Sequence, residues 1–226
     1  MNTYEEYRNR RQSDIENEKT TIEFLKEDVL NKFPTFEMIF DKTHQKEGID
    51  FQFFGRKNFF YMCDLKTIMP RANGKKLETA CLECASRHFD KEKKEWIYND
   101  GWYLDKKKKT NTYVMFWIDE CTNGLKNKED IKEYEYCFIL VETIREYLKS
   151  NGWDETALRK KVEEIKNNPE NYYKTQWIED KKSGFKIGFN TPERFYDSER
   201  PINILLSRSF YIKNAIYHKS STDDNV

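Results

Sequence analysis

The sequence predicts an α/β domain with a β-rich C-terminal elaboration. Three observations predict it. Apolar residues recur at helical spacing over residues 14–33, as Ile15, Ile22, Leu25, Val29 and Leu30. Strand-length apolar and aromatic runs follow, among them FQFFGRKNFFYMC (51–63) and YVMFWIDE (113–120). Aromatic residues make up 15% of the 226-residue chain. That fraction separates it from disordered sequences, which lack the large apolar groups that offset ordering entropy.

The elements are expected in this order. Residues 1–13 form a polar segment ahead of the first helix. That helix ends at Pro34, whose ring disfavours helical backbone in the residue before it. TFEMIF (35–40) predicts a short strand, and GIDFQFFGRKNFFYMCDLKT (48–67) a hairpin. Gly74 to Phe89 predicts a second helix, with Leu77, Cys81, Leu82 and Ala85 on one side. Residues 113–120 read as a strand with a continuous apolar run. Residues 14–120 are thus a core of helix, three strands, helix and strand. Residues 121–217 are an elaboration packed on it. There YEYCFILVETIREYLKS is either strand then helix or all helix, because its periodicity fits both. A helix over 154–166, a hairpin over 173–189 turning at Lys182–Gly184, and a strand at INILL (202–206) follow. Residues 218–226 are expected to be a flexible tail.

Charge bounds the function. Forty Lys and Arg balance forty Asp and Glu, so no strongly cationic footprint exists. Nucleic-acid binding then requires local positive charge. Lys106–Lys109 and Lys91, Lys93 and Lys94 are such patches, although a lysine run reads first as a solvated loop. Five cysteines show no disulfide framework and no secretory signal precedes them, which predicts a reducing cytoplasm. No apolar run reaches the length of a membrane span, so no membrane partner is expected. Cys81 and Cys84 lack the second Cys/His pair of a zinc site, and no Gly-rich phosphate loop is present.

The hairpin carries the chemistry. Asp64 and Lys66 are two apart on a strand and share a face. Ionised groups on a mostly buried strand cost several kcal/mol each unless paired or bound to an ion. Asp50 lies on the preceding strand. If Phe54 faced Phe59, Asp50 would oppose Cys63 and the two carboxylates would point to opposite faces. If Phe54 faces Phe60, Asp50 opposes Asp64. Gly55 suits the longer turn that the second register needs, and this register is the expectation. Two carboxylates on one face form a hard-oxygen site suited to Mg²⁺ or Mn²⁺.

Asp50 in "GID" and Asp64-Leu65-Lys66 in "CDLK", fourteen positions apart, resemble the motif of the PD-(D/E)XK, restriction-endonuclease-like nuclease superfamily. The resemblance covers residues 14–120, and the predicted element order is similar to that family's core. Ile49 stands where the motif has proline, and Asp64 where glutamate is commoner. The resemblance implies a mixed central sheet and metal-dependent phosphodiester hydrolysis, on DNA in preference to RNA. It implies that Asp50, Asp64 and the Leu65 backbone carbonyl hold Mg²⁺ or Mn²⁺, and that Lys66 orients the water or stabilises transition-state charge. It also implies an acidic residue from the first helix. Glu18, on the side of Ile15, Ile22 and Leu25, is chosen over Glu23. Arg71, Lys75 and Lys76 are placed on flanking phosphates, and residues 121–226 on substrate shape or a homodimer contact. The rival expectation is a non-catalytic nucleic-acid- or protein-binding factor on the same or an unrelated fold.

Overall fold

The computed structural model describes residues 3–33, 35–39, 42–55, 58–71, 73–90, 92–122, 124–192 and 200–223. Pro34, Phe40, Lys91 and residues 224–226, all used above, lie outside them. The described helices are α1 (Thr3–Asp28), α2 (Lys42–Lys46), α3 (Val141–Ser150), α4 (Glu155–Asn167) and α5 (Arg208–Lys213). The strands are β1 (Glu37–Met38), β2 (Phe51–Phe54), β3 (Phe60–Ile68), β4 (Thr79–Asp90), β5 (Glu95–Asp100), β6 (Thr112–Cys121), β7 (Ile131–Leu140), β8 (Gln176–Asp180), β9 (Phe185–Asn190), β10 (Ile202–Ser207) and β11 (Tyr217–Ser220).

The chain divides into two compact units that interleave in sequence. One comprises Asn9–Glu78, Lys109–Thr143 and Arg208–Val226; the other comprises Met1–Arg8, Thr79–Lys108 and Ile144–Ser207. These segments do not coincide with residues 14–120 and 121–217.

In the first unit a six-stranded sheet runs β1-β2-β3-β6-β7-β11. β3 and β6 are parallel and every other pair is antiparallel, so the sheet is mixed. Thr112 to Ile118 of β6 are all buried, so both faces of this central strand are covered. Alternate residues Phe51, Phe53, Cys63, Leu65, Val114 and Phe116 pack with Ile22, Leu25, Val29 and Leu30 in one apolar core. Ile15, expected on the same side of α1, is exposed. α5 is anchored through its first residue. The Arg208 guanidinium makes paired bonds to Asp119 at 2.7 and 2.8 Å and a third to Glu135, and lies over the Trp117 ring.

In the second unit a five-stranded sheet runs β5-β4-β10-β9-β8, antiparallel throughout. Ile202, Ile204 and Leu206 bury alternate positions of β10. Asp154 caps α4 by accepting the Ala157 amide at 2.9 Å, and Leu158, Val162 and Ile165 bury its inner side. Trp153 packs on Phe189 and Tyr147 on Phe185.

Three expectations are corrected. Thr79–Asp90 is a strand, not the helix expected over Gly74 to Phe89, so the core order of helix, three strands, helix and strand is not formed. Ala80, Leu82 and Cys84 are buried at period two along the part of β4 that pairs with β10, and Ala85–Asp90 pair with β5. The apolar spacing of this short run fits both periods, and pairing with β10 along its first half and β5 along its second selects the strand. Residues from Thr3 onward belong to α1 rather than to a separate polar segment. His218–Ser220 are not a tail: they pair with Cys137, Tyr136 and Glu135 of β7. The ambiguous YEYCFILVETIREYLKS segment is strand then helix, β7 and α3.

Candidate active site

Phe54 pairs with Phe60, Phe53 with Tyr61 and Phe51 with Cys63. This is the longer-turn register. Gly55 permits it, because a Cβ there would lie 2.3 Å from the Tyr61 ring. One detail differs from the expected opposition of Asp50 and Asp64. Asp50 stands in a bend just before β2 and is not a paired ladder residue. Its carbonyl accepts the Ile39 amide at 3.0 Å, turning the backbone towards β1. Its own amide donates to the Cys63 carbonyl at 2.8 Å, and its Oδ2 accepts the Leu65 amide at 2.7 Å. Asp50 therefore brackets Asp64 by binding the residue on each side of it.

Asp64 is 4% exposed. Lys66 Nζ donates to its Oδ1 at 2.7 Å, as same-face spacing on β3 allows. Asp64 Oδ2 is buried with no hydrogen-bond partner. Such an orphaned carboxylate oxygen is uncommon, because an unmade bond on a buried charged group carries its full desolvation cost. The Leu65 amide points to the Asp50 edge of β3. The Leu65 carbonyl lies on the same edge, since both groups of a strand residue face one neighbour.

Glu18 reaches this group from α1. Thr67 of β3 donates to Thr21 Oγ1 at 3.2 Å, and Thr21 donates to the Asn17 carbonyl at 2.8 Å. These bonds and the buried Ile22 and Leu25 set the α1 turn that carries Glu18. Glu23 is exposed. Burial pushes the Glu18 carboxyl up to about 7; Lys66 pulls it down, and Asp64 and Asp14 push it up. Asp50 is raised well above the usual carboxylate range, first by burial, then by Asp64 and Glu18. Burial works against the Lys66 ammonium, but Asp64, Asp50 and Glu18 outweigh it and hold the group above its ordinary value. Lys66 thus touches one carboxyl, Asp64, and feels the charge of two more, Asp50 and Glu18.

Arg71, Lys75 and Lys76 follow the end of β3 at Ile68. Arg71 and Lys75 are exposed in a turn closed by Gly74, whose amide donates to the Arg71 carbonyl at 2.8 Å. Lys76 Nζ is engaged with Glu133 at 2.7 Å and Asp119 at 3.6 Å, so acidic side chains already hold its charge. Cys81 is exposed and Cys84 buried on β4, three apart and hence on opposite faces of the strand.

Sequence reasoning missed Asn111. Its Oδ1 accepts the Met62 amide at 2.9 Å, its Nδ2 donates to the Phe60 carbonyl at 2.7 Å, and its amide donates to the Met62 carbonyl at 3.1 Å. It clamps β3 just before the β3–β6 ladder begins at Cys63 and Thr112. The polar Thr-Asn-Thr run ahead of an apolar strand was its only signal.

Among the described residues, no group of three or more His, Cys, Asp or Glu is arranged to hold a metal ion. Two of the carboxylate oxygens are already engaged, Asp50 Oδ2 by Leu65 and Asp64 Oδ1 by Lys66. What the residues offer a hard cation is oxygen chemistry and one buried, unsatisfied oxygen, Asp64 Oδ2. No protein-family model, curated protein or solved structure matches the chain.

Proposed function

We propose that this protein is a metal-dependent nuclease hydrolysing phosphodiester bonds, in DNA in the first instance, at the β2–β3 hairpin of its mixed six-stranded sheet. One observation carries the reading. Asp50 and Lys66, both part-buried, bind on either side of the buried Asp64 on the mixed sheet, and Asp64 keeps an unsatisfied oxygen there. A solvated hairpin end would not bury the Asp64 carboxylate.

Asp50, Asp64 and the Leu65 carbonyl would hold Mg²⁺ or Mn²⁺, with Glu18 completing the acidic set. The ion, when bound, supplies Lewis acidity towards a phosphate oxygen and lowers the pKa of a water. Leu65 and Cys63 orient Asp50 through their backbone groups. Asp64 holds the Lys66 ammonium, which stays charged and offsets negative charge developing on the phosphate oxygens. Glu18 changes its proton occupancy near neutral pH, which fits a group that accepts a proton during water attack. Arg71 and Lys75 remain available for flanking phosphates, which position without reading sequence.

The test is hydrolysis of single- and double-stranded DNA and RNA with Mg²⁺, Mn²⁺ or EDTA, by wild type, Asp64→Ala and Lys66→Ala. Metal-dependent cutting that falls at least about a hundredfold in both variants is expected. Cutting that survives both changes, or persists in EDTA, overturns the reading. The engaged state of Asp50 Oδ2 and Asp64 Oδ1 favours a second reading, a non-catalytic binding factor on the same scaffold. Absence of cutting together with no metal-induced rise in melting temperature would select it.

A further inference from the structure

The second unit carries an open strand edge. β8 ends the order of the five-stranded sheet: one of its edges pairs with β9, and among the described residues no strand pairs with the other. All five of its residues, Gln176–Asp180, are exposed, Trp177 by 41% and Ile178 by 39%. Such edges recruit further strands unless a proline, a lysine or a bulge blocks them. β8 has no proline and no lysine, and its register to β9 is regular through all five pairs. The Trp177 ring does not block the edge either. It lies back over β9, where a Cβ on Gly188 would stand 2.8 Å from it and Lys186 Nζ sits 4.7 Å from its centroid.

The backbone groups that the edge offers follow from the turn after it. The Asp180 carbonyl accepts the Gly184 amide at 2.9 Å, which directs it to the β9 side. Alternation puts the backbone groups of Gln176 and Ile178 on that side too, and leaves the amides and carbonyls of Trp177 and Glu179 on the open edge. The Ile178 side chain shares a face with Gln176 and with Ile187 and Phe189 of β9. Gln176, Ile178 and Phe189 of this face line a hollow of about 450 Å³, and Tyr172 lines it too.

We infer that β8 pairs antiparallel with β8 of a second copy of the chain, about a two-fold axis at Ile178. The inference goes beyond the nuclease reading and does not depend on it. This axis sets Ile178 against Ile178 of the copy, Trp177 against its Glu179, and Gln176 against its Asp180. Trp177 and Glu179, whose backbone groups face outward, then exchange amide–carbonyl bonds with their counterparts. No like charges meet. Both carboxylates of the strand, Glu179 and Asp180, stand at its C-terminal end, and antiparallel pairing brings them to the uncharged N-terminal end of the copy. Glu179 keeps its own ion pair with Lys186. An axis at Glu179 would oppose two Glu179 carboxylates, and an axis at Trp177 would carry the pairing into the bend at Lys174. At Ile178 the two isoleucines lie side by side on the face of the hollow, so the copy covers apolar surface that a single chain leaves open.

The experiment is sedimentation equilibrium of the full chain as wild type, Ile178→Lys, Ile178→Glu and Glu179→Pro. Ile178 faces itself across the axis, so each charged variant meets a like charge, and an equimolar mixture of the two meets an opposite one. Proline at position 179 removes an outward amide and spares the β9 side, and it tests the edge without touching the hollow. Both positions are exposed, so the variants are expected to melt near the wild-type temperature. Expected are a wild type at twice the mass of the chain, association weakened at least about tenfold in each single variant, and association restored in the mixture of Ile178→Lys with Ile178→Glu. A wild type that stays monomeric overturns the inference and leaves the edge to an extended segment of another protein. A wild-type dimer untouched by Glu179→Pro and by Ile178→Lys also overturns it, because the contact then lies elsewhere. A mixture that fails to associate, while each variant melts like wild type, overturns the axis at Ile178.

Discussion

Asp50 Oδ2 accepts the Leu65 amide at 2.7 Å, so a side chain supplies β3 with the acceptor that a longer β2 would have supplied from its backbone. The bond has two consequences. It satisfies a buried amide where β2 leaves the sheet, and it holds a carboxyl beside Asp64 against their mutual repulsion.

Asparagine at position 50 preserves the acceptor and removes the charge, whereas alanine removes both. In EDTA, Asp50→Asn is expected to match or exceed wild-type stability, because burial and Asp64 already drive the native carboxyl towards its neutral form. Asp50→Ala should lose about 1–3 kcal/mol, the cost of a buried amide left unpaired. Urea unfolding separates them. Equal losses in both variants would mean the Leu65 bond contributes nothing.

The pH dependence has a defined sign. Glu18 titrates at about 7 in the folded protein against 4.5 for an ordinary glutamate, so the folded state binds its proton more tightly. The stabilisation is fully present below pH 4.5 and is lost as pH rises to about 7. The loss for metal-free protein is on the order of 2–3 kcal/mol between pH 5 and 8. Glu18→Gln should flatten this slope in thermal melts. Mg²⁺ should raise the melting temperature more at pH 8 than at pH 5, since metal binding needs ionised carboxyls. An unchanged slope in Glu18→Gln would remove Glu18 from the group.

Lys66→Ala leaves the Asp64 carboxylate buried without its cation. Breaking a buried pair from one side is expected to destabilise by about 3–5 kcal/mol. Adding Asp64→Asn should recover much of that loss, because the stranded charge disappears with it. A double-mutant cycle in urea measures the coupling, and strict additivity would mean that the 2.7 Å contact is not an energetic partnership.

Asn111→Ala removes the clamp on Met62 and Phe60. A loss of about 1–3 kcal/mol is expected, together with faster hydrogen exchange at the Met62 amide than at the β6–β7 amides. Unchanged protection at Met62 would assign the hairpin's order to its aromatic contacts alone.

The hairpin was legible in the sequence because its apolar alternation and Gly55 leave one register that buries Phe51, Phe53, Cys63 and Leu65 together. Thr79–Asp90 was not legible. Its alanine, leucine, glutamate and cysteine residues suit a helix locally, and the strands that override this, β5 and β10, include one more than a hundred residues away. The same holds for His218–Ser220, which gain order from β7.

By itself the sequence determined the parity of β3, and with it that Asp64 and Lys66 share a face, because a strand's side-chain period is independent of what surrounds it. Only the tertiary structure decided that Asp50 turns out of the ladder to bind Leu65, that Asn111 clamps the hairpin, and that Glu18 is part-buried within the field of Lys66 and Asp64. Each depends on contacts between segments distant in the chain, and no local pattern encodes which buried polar group will meet which.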